Sequence, residues 1–599
     1  MAEDGRTKKD KKKQGGFRTM PFILANEFCD RFATTGFNSN MITYLIQELR
    51  MPMVQASNTI TNFTGTSSFT PIIGGLIADS FAGCFWTITV GSIIFLFGII
   101  GLTVSAVLPG LRPPPCSPPY QPKCKEASSW QLLVLYLSLL FTSIGSGGIR
   151  PCVMAFGADQ FDLHRPQHAA QSKWNFFNLY FFCMSIASLL ALTVVVYVQE
   201  NVGWGWGFGI PAIAMFFSVV VFVIGYPLYI RMKPGGSPLI RLTQVSVAAF
   251  RKWKVVKPAD PSLLYENKEL DAGISTAGRL LHTNQLVFLD RAAIMVEGDT
   301  LSSGQPRLWR LSTVHRVEEL KSIIKIIPIW AAGILLITAD SPSHSFAIQQ
   351  ARSMDRHLTT RFQIPPASMN IFSALSMLLS LAFYDRVFVP VARRFTKRPS
   401  GITYLQRMGI GLAISIFATM SAALVEIKRK AVASDHGLLD KQKVTVPISV
   451  FWLMPQFAIH GLAAAFVSVG HMEFLYDQAP ESMRSTAAAL HWLSVSIGNY
   501  MGTLLVTLVH NSTKKKGDWL QNNINMGKLD YYYWLLSGLQ VLNLGYYIIC
   551  AKFYTFKPLE VVKDENPSKV VDEEVSVREV ELPIGVARDA KDAGSLTQR

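Results

Sequence analysis

Apolar runs long enough to cross a bilayer recur along this chain, separated by shorter polar or Gly/Pro-rich segments. VGSIIFLFGIIGLTVSAV (residues 90–107) is one such run, and LLALTVVVYV (189–198) lies inside another. The pattern predicts helices over residues 20–46, 55–79, 85–109, 129–155, 174–198, 207–230, 320–340, 367–385, 402–427, 445–476, 485–510 and 531–556. The longest polar stretch, 231–319, falls between the sixth and the seventh, so the hydrophobic pattern divides into two equal sets. An all-α integral membrane protein follows, with twelve spans in two six-helix bundles around a central cavity. The expected organisation is a basic cytosolic N-terminus (1–19), a first bundle (20–230), a cytosolic linker (231–319), a second bundle (320–556) and a mostly disordered cytosolic tail (557–599).

Within the linker, SPLIRLTQVSVAAFRKWKVVK (237–257) places Leu239, Val247, Phe250 and Trp253 near one another on a helix, with Arg251, Lys252 and Lys254 alongside. Such a segment either lies on the cytosolic leaflet or braces the two bundles as a solvated linker.

Composition agrees with a membrane protein. Only 16% of the residues are charged, against roughly 25% in soluble proteins, and mean hydropathy is +0.26. A soluble enzyme, a disordered scaffold and a disulfide-rich secreted module are disfavoured. The net charge of +16 would suggest nucleic acid in a soluble protein, but here it follows the membrane, and no nucleic-acid partner is expected. Lys8, Lys9, Lys11, Lys12, Lys13 and Arg18 precede the first span without the apolar core or cleavage site of a signal peptide, so that span is expected to be the uncleaved anchor. In the first half, Lys and Arg concentrate in the loops on the N-terminal side, which predicts both termini in the cytosol. The second half is nearly balanced, because Lys428, Arg429, Lys430 and the Lys514 to Lys516 run fall in loops expected outside. This topology puts Cys116 and Cys124, the plausible disulfide partners among seven cysteines, in an outer Pro-rich loop, and it puts the Asn511 glycosylation sequon outside too.

The informative residues are charges where lipid should be. An ionised side chain at the bilayer centre costs about 2.5 to 3.5 kcal/mol on insertion scales, yet the first helix carries three in ANEFCDRF: Glu27, Asp30 and Arg31. Their i, i+3 and i, i+4 spacing puts them on one face. Two acids sharing one base can take up a proton while Arg31 keeps a partner; a static salt bridge to a neighbouring helix is the alternative. The fourth helix runs into GSGGIRPCVMAFGADQFD, where Gly145, Gly147 and Gly148 permit close helix approach and Pro151 follows Arg150. Arg150 is expected to bind an anionic substrate group or to pair with Glu473 of the tenth helix, a pair that can break and re-form as the bundles rock; a snorkelling boundary residue is the other reading.

Several segments together resemble a plant member of the nitrate/peptide transporter family, the plant branch of the proton-coupled oligopeptide transporters within the major facilitator superfamily. They are Glu27-x-x-Asp30-Arg31, TNFTGTSSFTPIIGGLIADSFAG (61–83), the glycine-rich 145–162 segment, WNFFNLYFF (174–182), QIPPASMNIF (363–372), YDRVFVPVARRFT (384–396) and QAPESMRS (478–485). The likeness covers about residues 20–556, and it is greatest to the subfamily holding gibberellin and nitrite carriers. It implies symport of protons with small solutes, coupling through Glu27, Asp30 and Arg31, and a cavity pairing of Arg150 with Glu473. Asp79 belongs to a gating loop on the cytosolic side.

The sequence departs from the family pattern at four places. Asp30 is one methylene shorter than the usual Glu. Gly83 is followed by Cys84 where a cation is common, and Ala464 replaces an acid of the tenth helix. At the end of the seventh helix, TADSPSHSF offers Asp340 where nitrate carriers can present a His. Asp340 either faces the cavity, repelling nitrate and favouring an amine, or touches outer solvent because Pro342 ends the helix.

Tyr44, Trp330, Gln456, His460, His491 and Trp492 complete the cavity candidates and would suit a bulky, partly apolar solute. With no HExxH, paired CxxC, phosphate-binding loop or GxSxG elbow, neither an enzyme nor a metal or nucleotide cofactor is indicated, and the coupling ion is a proton. The expected activity is proton-coupled symport of a carboxylated hormone such as gibberellin or abscisic acid, or of a specialised metabolite. Nitrate, nitrite or peptide symport is the alternative, and a ligand-sensing receptor with vestigial transport is the rival of another class. The partners are the solute, protons and the lipid bilayer; a monomer in the plasma membrane is favoured over the vacuolar membrane.

Overall fold

The computed structural model describes residues 15–114, 125–160, 180, 183–230, 238–256, 260–271, 279–301, 305–360, 362–397, 401–441, 444–480, 484–514, 517–556 and 559–560, except for some side chains within them. Cys116, Cys124, the lysines before residue 15, most of the 174–182 motif, the Asp79 side chain and the tail beyond 560 lie outside that description.

The first half contains α1 (Met20–Gln47), α2 (Met53–Ile77), α3 (Gly83–Val107), α4 (Ser129–Asp159), α5 (Cys183–Asn201) and α6 (Trp204–Ile224). The second contains α7 (Val314–Ser353), α8 (Pro366–Thr396), α9 (Tyr404–Asp435), α10 (Met454–Gln478), α11 (Arg484–Thr513) and α12 (Leu529–Phe553). The helix pairings repeat. In the first half α1 packs on α6, α2 on α4, α3 on α4 and α3 on α6; in the second α7 packs on α12, α8 on α10, α9 on α10 and α9 on α12. This duplicated pairing is the signature of two structural repeats, and it gives the twelve-helix major facilitator architecture.

Among the described residues, 10 helices are long and apolar enough to cross a membrane. The two remaining long helices, α1 and α2, are too polar for that measure: α1 carries Glu27, Asp30 and Arg31, and α2 is rich in Thr, Ser and Asn. Both contribute to contacts between the halves, α2 against α11 and α7, and α1 against the start of α8.

Glycine sets how closely α2, α3 and α4 approach. A Cβ on Gly74 would collide with the Gly147 carbonyl, and one on Gly145 with the Phe95 backbone, so the helices meet backbone to backbone as the glycine cluster predicts. The largest boundary difference is in α7, expected over 320–340. It runs from Val314 through Pro328 and Pro342 to Ser353. Pro342 therefore does not end it. Its ring packs beside Gly502 of α11, where there is no side chain to displace it.

The linker is folded onto the start of α7. Its helix, Pro238–Arg251, buries Val245, Ala248 and Ala249 against Leu289, Ala292, Val314 and Val317. Lys321 of α7 lies 2.6 Å from Asp290 and 2.8 Å from Glu318, and Lys252 lies 2.5 Å from Asp299. Phe250, on the opposite face, and Trp253, in the turn just past the helix end, are exposed, at 79% and 60%. Bracing and an outward apolar face thus coexist on opposite sides of one helix.

Candidate functional site

Glu27 and Asp30 sit about a third of the way along α1, 4% and 2% exposed. Neighbouring Asn26 ties that helix to Ser92 of α3 at 3.1 Å, which holds the acids at a fixed depth. The Tyr180 hydroxyl donates to Glu27 Oε1 at 2.8 Å. Glu27 Oε2 and Asp30 Oδ1 are buried and accept no hydrogen bond. An ionised carboxylate left buried with an unpaired oxygen is costly, and protonation lowers that cost by removing the charge.

The expected sharing of Arg31 by both acids is not found. Arg31 is exposed, and among the described residues no ion pair joins it to either acid. Helical spacing aligns Cα positions, but a guanidinium on four bonds can extend away from shorter carboxylates. Arg150 of α4 and Arg31 both lie within electrostatic reach of the two acids, Arg31 acting more on Glu27 and Arg150 more on Asp30.

Arg150 also reaches across the molecule: its guanidinium carbon lies 5.5 Å from the centroid of the Trp492 ring on α11. A bridge between the halves exists, but its partner differs from the one expected. Glu473 pairs with Arg407 of α9 at 3.1 Å, and Arg407 stacks 4.0 Å from the Tyr384 ring centroid. The reason is proximity: α9 and α10 are packed neighbours within one bundle, so Glu473 meets a cation without crossing the interior. Arg407 escaped notice in the sequence, although a lone Arg early in an apolar helix is a signal of the same kind as Arg150.

Other candidates divide into braces and lining. Tyr44 is fully buried between Trp204 and Phe208, its hydroxyl 3.2 Å from Ser105, so it belongs to the core of the first bundle and not to a cavity. The Trp330 indole N–H donates to the Leu490 carbonyl at 2.6 Å and braces α7 on α11. His491 lies beside Trp492 and 5.3 Å from the ring of His471, which the sequence reading passed over. Asn511 is exposed in the last turn of α11.

Asp340 stands inside continuous helix, not at its end. Its carboxylate is 3.0 Å from His460 Nδ1 on α10, and the His344 ring, one turn further along α7, lies 5.1 Å from that of His460. These residues and Gln456 line a cavity of about 50 Å³ between α7, α9 and α10. A larger hollow of about 370 Å³ lies between α2 and α4, lined by Thr59, Asn62, Thr66, Tyr136 and Ser143 among others.

Polar contacts between the halves gather at the end of the bundles away from the N-terminus. Arg352 at the end of α7 lies 2.8 Å from Glu200 at the end of α5 and donates to Thr43 of α1 at 3.0 Å. Asn58 donates to Thr507 at 3.0 Å, Thr503 to Asn62 at 2.8 Å, and the Met53 amide to Asn522 at 2.8 Å. This end is shut.

Two repeats of six helices, with buried carboxyls that each leave one oxygen unpaired and polar contacts joining the halves, have the architecture of a membrane transporter. Comparison with known proteins names the family. The family model described as PTR2, POT family, matches residues 85–525. Protein NRT1/PTR FAMILY 3.1 of Arabidopsis thaliana is 57% identical over 94% of this chain and 95% of its own, and Protein NRT1/PTR FAMILY 8.1 of the same plant is 42% identical over 92% and 95%. Among solved structures, an auto-inhibited POT family peptide transporter superposes with a TM-score of 0.65 at 20% identity, covering 92% of this chain and 99% of that one. A POT family transporter in complex with 5-aminolevulinic acid gives 0.58 at 16% identity, covering 90% and 98%. The chain belongs to the POT family: it is a multi-pass membrane transporter and not an enzyme.

Proposed function

We propose that this transporter couples inward proton movement to symport of a small organic solute bearing a carboxylate, of the class that includes gibberellin, abscisic acid and acidic specialised metabolites. The observation that carries the reading is the placement of two buried, incompletely bonded carboxyls on α1 within the field of Arg150, itself in contact with the opposite bundle through Trp492. A proton neutralises Glu27 or Asp30. Arg150 is then less attracted to α1 and available to the solute's anionic group, with Trp492 beside it for the apolar part. When the proton leaves, the acids reclaim Arg150 and the solute is released. Nitrate would also answer to Arg150, but the aromatic surroundings of Trp492 and His491 favour a larger ligand.

In this reading the clasped end is the outer one, with both termini in the cytosol and the plasma membrane as the location. The exposed Phe250 and Trp253 at the end of the linker helix, flanked by Arg251 and Lys254, suit the inner leaflet surface. One pH unit supplies about 1.4 kcal/mol per proton, and 100 mV about 2.3 kcal/mol per charge.

The test is uptake in expressing oocytes of a panel spanning nitrate, dipeptides, carboxylated hormones and amines, at acidic and neutral external pH, with current recorded. Acid-stimulated, saturable uptake of a carboxylated organic solute supports the proposal. Uptake of nitrate or peptides alone rejects the solute class, and ligand binding without flux at any pH rejects symport.

A further inference from the structure

We infer that Asp340, His344 and His460 form a binding site for one divalent first-row transition-metal ion, in the second bundle and apart from the proton site on α1. The backbone prepares it. Asp340 and His344 are i, i+4 on α7, and Gln456 and His460 are i, i+4 on α10, so each helix offers two donors stacked on one face, and the two faces meet.

The donor atoms of Asp340, His344 and His460 lie within 4.8 Å of one another, and Asp340 Oδ1 is 3.0 Å from His460 Nδ1. Ligands about 2.0 to 2.1 Å from a tetrahedral zinc ion are about 3.4 Å apart. The separations present, from 3.0 Å up to at most 4.8 Å, bracket that ligand spacing. Two imidazoles and a carboxylate suit zinc, iron, cobalt, nickel or copper, whereas calcium and magnesium prefer oxygen donors alone.

Three further observations favour an ion over the alternatives. The cavity these side chains line measures about 50 Å³, enough for an ion and a water molecule, which takes about 30 Å³ in the liquid. Organic ligands occupy pockets of about 300 Å³ and more, so this is not where the solute rests. Gln456 is 6% exposed, and its Oε1, aimed into the same cavity, has no hydrogen-bond partner. It can serve as a fourth donor or accept from a metal-bound water. Finally, the other comparable cluster, His282, Asp290 and Glu318, already holds a cation, the Lys321 ammonium at 2.6 and 2.8 Å from its two acids. Among the described residues, no Lys or Arg lines the Asp340 cavity.

An ion here joins α7 to α10 and stiffens the second bundle. Binding does not depend on the symport reading and is measured without transport. The purified full chain in detergent is titrated with Co²⁺, following the visible absorption of the low-coordinate ion, and then with Zn²⁺ to displace it. One saturable Co²⁺ per chain, displaced by Zn²⁺, is the expected result. His344→Asn and His460→Asn should each weaken binding at least about 100-fold, since even outer-sphere ligand partners are worth 10 to 100-fold, while His282→Asn leaves it unchanged. Absence of the Co²⁺ band in the wild type, or its persistence in both cavity variants, overturns the site. Should His460→Asn lose its monodisperse elution profile, His344→Asn decides the matter, because His344 makes no ion pair with Asp340 in this structure.

Discussion

Glu200 and Arg352 meet at 2.8 Å across the two bundles, each at the last turns of a helix and each less than a quarter exposed. Glu200 also accepts from Asn40 at 3.2 Å, and Arg352 donates to Thr43, so three helices converge on one charge pair. A clasp of this kind holds its end shut by its differential stability between states. Glu200→Gln keeps the shape and removes the charge. About 1.4 kcal/mol of lost attraction shifts the closed-to-open ratio about tenfold. Labelling of Cys introduced at Thr43 by a membrane-impermeant maleimide from outside should accelerate by that order; an unchanged rate removes the pair from the gate.

Glu27→Gln mimics the protonated acid and retains an acceptor for the Tyr180 hydroxyl. Folding should persist, measured by elution profile and thermal midpoint. Concentrative uptake driven by external acid should fall to background while solute exchange continues. Undiminished pH-driven accumulation rejects Glu27 as a coupling group.

Arg150→Ala removes both the field on Asp30 and the contact with Trp492. Transport of an anionic solute should drop at least tenfold, more than that of a neutral analogue. Trp492→Ala, which leaves the cation in place, should raise KM without changing the anion preference. Equal losses for charged and neutral solutes would assign Arg150 to gating instead.

Arg429→Ala should be among the most destabilising substitutions in the second bundle. Arg429 is fully buried, binds both oxygens of Glu426 at 2.7 and 2.8 Å, and also donates to Asn525, Ser353 and the Ile524 carbonyl. Breaking a buried pair by removing one partner costs about 3 to 5 kcal/mol. A large fall in thermal midpoint is expected, partly recovered when Glu426→Gln is added, because the orphaned charge is then gone.

Gly147→Ala tests the backbone contact of α2 with α4. Its Cβ would meet the Thr70 side chain and backbone. Overpacking of this sort costs about 1 to 3 kcal/mol, so yield of folded protein and thermal midpoint should both fall, whereas Gly538→Ala, with open space around it, should be silent.

Arg429 also explains why the loop charges of the second half are uninformative in the sequence. Counted as a loop cation beside Lys428 and Lys430, it is inside, neutralised by Glu426 one helical turn earlier. Lys428 lies over the Trp452 ring and Lys430 binds the Gly527 carbonyl. A count of Lys and Arg along the chain cannot tell a solvated cation from a structural one.

The helices, their division into two sets and the presence of charged residues within α1 and α4 follow from the residues alone, because hydrophobic runs of spanning length and charges within them depend on local composition. Even the close approach of α2, α3 and α4 is implied by glycine. Partner choice is another matter. That Glu473 turns to Arg407, that Arg150 meets Trp492, and that Asp340 faces His460 from a helix unbroken by Pro342 depend on which helices pack side by side. Charge pairing is decided over a few ångströms, and only the folded chain brings residues this far apart in sequence to that distance.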